Sequence, residues 1–214
     1  MKHPWNITPR EAIAIQRRLA DRVLRETSLA APSTVAGVDV AFGSGRAQAA
    51  AVLLDYPGLD LIDQAIATSP LAFPYVPGLL SFREGPAILK ALGMLAKMPD
   101  LILFDGQGIA HPRRLGIASH IGLLVDRPSI GCAKTRLVGV YQEPGIHRGS
   151  VSPLHDGDDI IGAVVRTRSK VKPVFVSIGH RIGLEEAVHY TLDCCRGFRL
   201  PQPIRMADKL SKKR

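Results

Sequence analysis

The stretch "TVAGVDVAFG" (residues 34–43) has the composition of a buried β-strand, yet it carries one charged residue near its middle, Asp39. Short apolar, β-branched runs that end at glycines are typical of strands inside a sheet. An ionised carboxylate in such a strand is costly unless it is paired or bound to a metal ion. Asp39 is therefore either the partner of an internal arginine or a functional residue.

The segments around this strand predict a three-stranded meander preceded by a helix. "AQAAAVLLDYPG" (residues 47–58) and "LIDQAIATSPLAF" (residues 61–73) have the pattern of two further strands joined at a Tyr-Pro-Gly turn. Upstream, "TPREAIAIQRRLADRVLRE" (residues 8–26) predicts a helix, in which Thr8 is the cap and Glu11 completes a capping box.

Downstream of the meander, helical and strand patterns alternate. Helices are predicted over residues 81–99, 116–126 and 183–197, and strands over 100–106 and 128–139, with a basic-faced hairpin over 159–179. Three strands followed by such an alternation indicate an α/β fold with a mixed sheet. Because 214 residues suit one core and no repeat or long linker interrupts them, we expect a single domain over 1–214. It would end in a basic tail at about 205–214.

Composition excludes a membrane protein and a disulfide scaffold. Hydrophobic residues make up 46% and charged residues 22% of the chain, which is ordinary for a globular protein. No apolar run approaches the roughly 20 residues needed to cross a bilayer, and the first residues lack an apolar signal core. Three cysteines, two of them adjacent, suit a reducing compartment, so we expect a cytoplasmic protein without membrane partners.

The charge distribution points to a polyanionic partner. The chain has 28 basic and 19 acidic residues, for a net charge of +9, and the excess is concentrated near the C-terminus. From Ile160 onward there are 12 lysines and arginines against 4 acidic residues, or +8. A nucleic acid backbone is the natural counter-surface for such a region. A solvated, idle tail would have the same composition, so charge alone leaves both interpretations open.

Two further carboxylates stand out beside Asp39. Asp105 ends the predicted strand "DLILFDG" at a glycine loop, and Glu84 lies in the first turn of the next predicted helix upstream. Each has a plainer interpretation, since Asp105 could shape its turn and Glu84 could close a capping box with Ser81. Taken together, they suggest hard oxygen ligands for Mg²⁺, with Mn²⁺ as a substitute.

The stretch "DGQGIAHPRRLGIASHIG" (residues 105–122) is the densest polar segment of the chain. Its glycines would let backbone amides approach a base or a phosphate, and Arg113 and Arg114 match phosphate geometry. It contains no dinucleotide fingerprint and no Walker lysine. His120 falls on an apolar helix face and predicts a packing role. Lys134, in a strand of small residues, is either a buried lysine with an anionic partner or a surface lysine.

The segment "PYVPGLLSFRE" (residues 74–84) places Tyr75 between two prolines and ahead of a glycine. Proline restricts both its own backbone and that of the preceding residue, so Tyr75 and Val76 would form a stiff, extended knuckle. Gly78 then allows a sharp turn or a close approach. The knuckle is either a packing element or a device that inserts into a partner.

These motifs resemble, in chain order, the signature segments of one family. They are "AGVDVAFG" (36–43), "PYVPGLLSFREGPAIL" (74–89), "DGQGIAHPRRLGIASHIG" (105–122), "GCAKTRLVG" (131–139) and "LPQPIRMADKL" (200–210). The resemblance is to endonuclease V, the deoxyinosine 3′-endonuclease family of DNA repair, and it covers about residues 8–210. It implies a ribonuclease-H-like α/β fold, with a central mixed sheet of the five-stranded type flanked by helices.

The resemblance also implies roles for individual residues. Asp39, Glu84 and Asp105 match the acidic, metal-binding triad, and Asp208 is a candidate fourth ligand where some members have histidine. Tyr75 matches the residue that fills the gap left by an extruded base, with Pro74, Val76 and Pro77 around it. His111 and Lys134 match positions near the scissile phosphate, and Arg113 and Arg114 are expected to contact DNA. The matched pocket for the base comprises Gly78, Leu80, Gly106, Gly116 and Ile117.

The expected function is that of a Mg²⁺-dependent endonuclease that recognises deoxyinosine and cleaves the second phosphodiester bond on its 3′ side. The products would carry 3′-hydroxyl and 5′-phosphate ends, and the enzyme would act as a monomer without a small-molecule cofactor. Two rivals remain: an endonuclease for inosine-containing RNA, and a non-catalytic nucleic-acid-binding module. The chain departs from the family pattern at Gln107, usually histidine, and at Leu79, where an aromatic residue is common.

Overall fold

The computed structural model describes residues 3–27 and 31–213. Its first helix, α1 (Pro9–Ala20), has the predicted capping box: the Thr8 hydroxyl accepts a hydrogen bond from the Glu11 backbone N–H, and the Glu11 carboxylate accepts one from the Thr8 backbone N–H. The helix ends at Ala20, six residues before the predicted end at residue 26. The N-terminal boundary is therefore confirmed and the C-terminal one is wrong.

The predicted meander is confirmed in β1 (Thr34–Gly43), β2 (Arg46–Asp55) and β3 (Leu61–Pro70), which pair antiparallel in chain order. The bounds of β1 coincide with the quoted stretch. A chain reversal at Ser44 and Gly45, both with positive φ, joins β1 to β2. Two-residue turns of this kind match the twist of an antiparallel pair.

The alternating part of the sheet begins with α2 (Leu80–Gly93), β4 (Leu101–Phe104), α3 (Ile117–Val125) and β5 (Ser129–Ala133). β4 pairs parallel with both β1 and β5, and Val38 of β1 lies beside Phe104 of β4. The residues that follow these partners, Asp39 and Asp105, therefore emerge at the same edge of the sheet.

Three more strands extend the sheet: β6 (Val151–Asp156), β7 (Asp159–Val165) and β8 (Val174–His180). Within the described part of the chain the strand order is β3-β2-β1-β4-β5-β8-β7-β6. The first five of these positions form the mixed, ribonuclease-H-like part, which confirms the expected fold class, and the antiparallel strands β8, β7 and β6 lengthen it to eight. The β7–β8 hairpin is confirmed, whereas β6 was not predicted.

Two C-terminal helices complete the fold, α4 (Leu184–Asp193) and α5 (Gln202–Ser211). The predicted basic tail at 205–214 is wrong as a description of local structure, because most of it belongs to α5. Ile204, Ala207 and Leu210 of α5 are buried against the face of β1 and β2. Arg214, the last residue of that prediction, lies outside the described residues.

Apolar packing covers both faces of the sheet. Side chains alternate along β1, so Val35 joins the cluster that contains α1, α4 and α5, whereas Ala36 and Val38 join the cluster beneath α2 and α3. The three cysteines are free and buried. No helix among the described residues is long and apolar enough to cross a membrane.

Replacing Gly37 with alanine should destabilise the fold by displacing α5. A Cβ at Gly37 would lie 2.1 Å from the backbone carbonyl atoms of Pro203, which cannot move without moving the helix. Overpacking of this kind costs about 1–3 kcal/mol or more. We expect a lower denaturation midpoint for Gly37→Ala. Gly43→Ala, on the same strand with no atom within 4 Å of its Cβ, should leave the midpoint nearly unchanged; equal midpoints for both variants would contradict the packing of α5 described here.

Candidate active site

Three carboxylates from separate elements line one cavity of about 230 Å³. Asp39 comes from β1, Asp105 follows β4, and Glu84 projects from α2. The parallel register of β1 and β4 brings the two aspartates to one edge, and α2 lays Glu84 beside them. The structure thus brings together the three acidic residues that the sequence singled out.

Burial and mutual repulsion shape the protonation of this cluster. Glu84 is 9% exposed, and its pKa rises to about 8, first because burial disfavours its charge and then because Asp39 and Asp105 repel it. Burial also raises the pKa of Asp39, against the opposing effect of a hydrogen bond from Ser211. The cavity therefore stores unfavourable electrostatic energy that a cation would relieve.

Neighbouring side chains offset part of this repulsion. The Lys134 ammonium pairs with Asp105, and the Ser211 hydroxyl donates to Asp39 Oδ2 at 2.7 Å. Burial alone would lower the pKa of Lys134, but its bond to Asp105 and the surrounding carboxylates raise it. Lys134 follows the end of β5 and its side chain is 46% exposed, so of the two alternatives it is the surface lysine, although it has the anionic partner expected of a buried one.

The C-terminal helix α5 adds a fourth acidic residue to the same neighbourhood. The negative charge of Asp208 contributes to raising the pKa of Asp39. Its carboxylate also pairs with Lys212 at 2.6 Å, one turn further along α5. Asp208 is therefore close enough to Asp39 to act on its charge, while its own carboxylate is paired with Lys212.

The donor chemistry of this cavity fits a hard divalent cation. Carboxylate oxygens are the ligands that Mg²⁺ and Mn²⁺ prefer, and here several converge with excess negative charge. Within residues 3–27 and 31–213, no three His, Cys, Asp or Glu side chains are close enough to hold an ion without adjustment. The residues thus fit the ion in type and charge, and they would have to close on it to ligate it.

A second, larger cavity of about 480 Å³ adjoins the first. All five residues predicted for the base pocket line it: Gly78, Leu80, Gly106, Gly116 and Ile117. Tyr75, Val76 and Pro77 form part of its wall, whereas exposed Pro74 does not. Asp105 and Ile117 line both cavities, so the two share a wall. Its volume is in the range of about 300–1,000 Å³ that is usual for small-molecule sites.

The carbonyl oxygen of Gly78 fixes the knuckle above this cavity. It accepts hydrogen bonds from Gln16 Nε2 and His111 Nε2, both at 2.9 Å, and from Arg113 Nη2 at 2.8 Å. Gly78 has φ +76°, which a residue with a side chain rarely adopts, and a Cβ there would lie 2.8 Å from Arg113. Three donors on one carbonyl hold the segment that carries Tyr75 in a defined position.

Gln16, like Ser211, is a residue of this site that was not predicted from the sequence. It is 1% exposed, and it also donates to the carbonyl oxygen of Leu115 at 3.0 Å. The signal was present: Gln16 falls among Ala12, Ile15 and Leu19, the apolar face of α1. A polar residue at a core-facing position requires hydrogen-bond partners, and here those partners are backbone carbonyls of the site.

His111 is held as a neutral donor. The backbone N–H of Arg113 donates to His111 Nδ1 at 3.1 Å, which leaves the proton on Nε2 for the Gly78 carbonyl. Burial, followed by the charge of Arg113, lowers the pKa of His111 to about 4. Arg113 is bonded to Gln16 and Gly78, and Arg114 pairs with Asp156 at 2.8 Å. The structure does not bring either arginine into the wall of the two cavities.

The capping box suggested for Ser81 and Glu84 is absent. α2 begins at Leu80 after Leu79, and no side chain caps it. The Ser81 hydroxyl instead lies 2.8 Å from Nδ1 of His120, whose other ring nitrogen lies 2.8 Å from the His3 ring. His120 is fully buried, which confirms its predicted packing role, and Glu84 is left to face the acidic cavity.

Gln107, which departs from the family pattern, lines the larger cavity. Its Nε2 donates to the Thr135 carbonyl at 2.9 Å, and because a carbonyl only accepts, this contact fixes the orientation of the amide. Its Oε1 is buried without a hydrogen-bond partner among the described residues. Gln107 therefore places an unpaired amide oxygen, a hydrogen-bond acceptor, at the position where the usual histidine would place a ring nitrogen.

Comparison with known proteins agrees with this architecture. The sequence model of the endonuclease V family matches residues 17–209. Endonuclease V of Methanothrix thermoacetophila is 54% identical over 212 residues, covering 99% of this chain and 94% of the relative. The crystal structure of endonuclease V from Streptomyces avermitilis superposes with a TM-score of 0.93 at 45% identity, covering 99% of this chain and 95% of that one.

A more distant structure in the comparison contains nucleic acid. Ciona intestinalis endonuclease V was crystallised with a 24mer DNA containing an inosine followed by a ribo-adenosine; it has a TM-score of 0.82 at 30% identity and covers 95% of each chain. The chain described here belongs to the endonuclease V family and is accordingly a nuclease of the hydrolase class.

Glu84→Gln should stabilise the metal-free protein in a pH-dependent way. The folded chain keeps the Glu84 proton up to a pKa of about 8, whereas the unfolded chain releases it near 4.5, so the free energy of unfolding falls as pH rises between these values. At about 1.4 kcal/mol per pKa unit, the variant should gain up to about 5 kcal/mol over the wild type near the top of that window.

The measurement is denaturant unfolding in a chelator at both ends of the window. The gain should be small at the acidic end and large at the basic end, whereas Glu185→Gln, at an exposed position on α4, should show no such trend. A gain of the same size at both pH values would refute the electrostatic account of Glu84.

Proposed function

We propose that this chain is a divalent-metal-dependent endonuclease that recognises deoxyinosine in DNA and hydrolyses the second phosphodiester bond on its 3′ side. The observation that carries the proposal is the wall shared by the two cavities, which contains Asp105. A base held in the larger cavity would leave its own backbone beside the acidic one. The inosine-containing DNA bound to the Ciona relative supports the substrate. The products would carry 3′-hydroxyl and 5′-phosphate ends.

In this proposal Tyr75 replaces the extruded base in the stack. Its side chain is 71% exposed at the edge of the larger cavity, and the neighbouring prolines restrict its backbone. An aromatic ring contributes about 1–3 kcal/mol when it stacks on a base. Extrusion costs a few kcal/mol, and it costs least at a weak pair such as one that contains hypoxanthine. A stiff, exposed ring is suited to compensate for that cost.

The larger cavity would receive the extruded base. Gly78, Gly106 and Gly116 contribute backbone to its wall, so peptide groups rather than long side chains face the ligand. Peptide N–H and C=O groups can distinguish the hypoxanthine edge from adenine, whose exocyclic amine replaces an acceptor with a donor. In this scheme His111, Arg113 and Gln16 act as positioning residues, because each bonds to the Gly78 carbonyl.

Asp39, Glu84 and Asp105, with Asp208 nearby, would hold Mg²⁺ or Mn²⁺ at the scissile phosphate. A cation bound there supplies Lewis-acid polarisation and an activated water. Lys134 bridges the two cavities, since it pairs with Asp105 and also lines the larger one. Its ammonium can donate to a non-bridging phosphate oxygen as negative charge develops there, without leaving the site.

Cleavage of inosine-containing RNA is the second candidate substrate. The DNA in the two Ciona complexes contains an inosine followed by a ribo-adenosine. The 2′-hydroxyl of that ribose is the group that distinguishes RNA from DNA at this position. Matched strands that differ only in that sugar distinguish the two candidates. We further propose that the chain acts as one domain and as a monomer, in a reducing compartment such as the cytoplasm, which its free, buried cysteines suit.

Asp39→Asn should abolish nicking while preserving binding. The change removes a charge from the acidic cavity but keeps an oxygen that can accept the hydrogen bond of Ser211. We expect nicking of a deoxyinosine duplex in Mg²⁺ to fall more than about 100-fold, beyond the loss that follows from removing an outer partner of a metal ligand. Asp158→Asn, in an exposed turn, is the matched control. Unchanged nicking by Asp39→Asn would remove the catalytic assignment.

Tyr75→Ala should weaken binding of deoxyinosine DNA by about 1–3 kcal/mol, the value of one stacked base. Because the ring is mostly exposed, its thermal unfolding midpoint should remain close to that of the wild type. Tyr75→Phe keeps the ring and should retain most of the affinity. Fluorescence anisotropy in a chelator measures binding without cleavage. Loss of folding in Tyr75→Ala would instead establish the knuckle as a packing element.

A further inference from the structure

A third cavity, of about 710 Å³, has in its wall Ser211, the hydrogen-bond donor to Asp39, and has no part in the function proposed so far. The end of β1, its turn into β2 and the last residues of α5 enclose it. Its wall includes the polar, basic and aromatic residues Phe42, Arg46, Gln48, Thr68, Lys212 and Lys213. These residues are called the basic groove below.

The charge of the basic groove suits a phosphate backbone. Arg46, Lys212 and Lys213 line it, and no acidic residue of the described part of the chain does. Phe42 is 47% exposed in its wall, with the Arg83 guanidinium 5.0 Å from the ring centroid. Basic side chains interleaved with an exposed aromatic ring are the usual construction of a path for a nucleic acid strand.

Hydrogen bonds hold the groove in shape. Gln48 Nε2 of β2 donates to the carbonyl oxygens of Ser211 at 2.8 Å and Lys213 at 2.7 Å, which ties the end of α5 to the sheet. Arg46 Nη2 donates to the Thr68 hydroxyl at 3.2 Å. The positive charges are therefore presented on an anchored surface, so less conformational entropy is lost when a ligand binds.

The groove also has a defined position relative to the reaction. Ser211 lines it and donates to Asp39, which faces the acidic cavity. The acidic cavity in turn shares Asp105 with the base pocket. The three cavities therefore follow one another in the order base pocket, acidic cavity, basic groove. A strand held by its extruded base at one end and cut in the middle has the third cavity as its adjoining basic exit.

We propose that the basic groove binds the sugar-phosphate backbone of the cleaved strand on the 3′ side of the cut. The polarity rests on the proposed function, because a cut 3′ to the lesion places the continuing strand beyond Asp39. Arg46 and Lys213 contact phosphates there, and Phe42 packs against a sugar or base. The groove makes affinity depend on how far the strand extends past the cut.

The test compares two deoxyinosine duplexes that share the 5′ arm. In one the inosine strand ends just past the cut, and in the other it has a long 3′ arm. Binding is measured by fluorescence anisotropy in a chelator across a salt series, for the wild type and for the double variant Arg46→Ala, Lys213→Ala. On the long substrate the slope of log affinity against log salt should fall by about two in the variant, one for each cation. On the short substrate the slope should not change.

Matched variants make the result specific. The double variant Lys90→Ala, Lys97→Ala removes two exposed charges, one in the last turn of α2 and one beyond its end, and should not change either slope. Equal losses on the long and short substrates, or no loss on either, would overturn the groove's assignment. Failure of the wild type to prefer deoxyinosine over deoxyadenosine would contradict the proposed function. That comparison uses the wild type alone, so its outcome is distinct from the variants' test of the groove.

Discussion

The structure depends on one electrostatic constraint: several carboxylates must share a small cavity in which their charges repel. Parallel pairing of β1 and β4 fixes two of them, and α2 buries Glu84 beside them, so that burial and then repulsion from Asp39 and Asp105 raise its pKa to about 8. Packing makes this arrangement rigid, because Pro203 of α5 lies against Gly37 of β1. The same helix places Ser211 and Asp208 near Asp39. The fold thus keeps together carboxylates that would otherwise move apart because their charges repel. A divalent cation is the natural counterion for such a cluster.

The second organising contact is the carbonyl of Gly78, which joins three distant parts of the chain. Gln16 reaches it from α1, and His111 and Arg113 reach it from the loop after β4. The exposed ring of Tyr75 is therefore fixed relative to the cavity below it. An inserted ring and an extruded base act together only if their separation is held constant, because a loose wedge would lose the stacking energy to ordering costs.

Local sequence patterns predicted those elements whose boundaries depend mainly on neighbouring residues. The bounds of β1 and the Thr8–Glu11 capping box follow from apolar runs and from side chains that reach their own backbone. β6 was missed because its residues 151–156 are half polar and include a proline, as an edge strand tolerates. α5 was missed because two prolines precede its centre, and it is stabilised by burial of Ile204 and Leu210. In the site, the three acidic residues could be predicted from residue type. The inward direction of the Arg113 side chain could not, because it depends on tertiary contacts.

We infer that the acidic cavity is a divalent-cation site formed by residues distant in sequence. Diffraction from crystals grown with Mn²⁺, recorded at a wavelength where manganese scatters anomalously, tests it most directly. We expect anomalous density between the carboxylates of Asp39, Glu84 and Asp105, and none at that position in Asp39→Asn crystals. Density confined to other surfaces, with the Lys134–Asp105 pair intact and the cavity free of manganese, would contradict it.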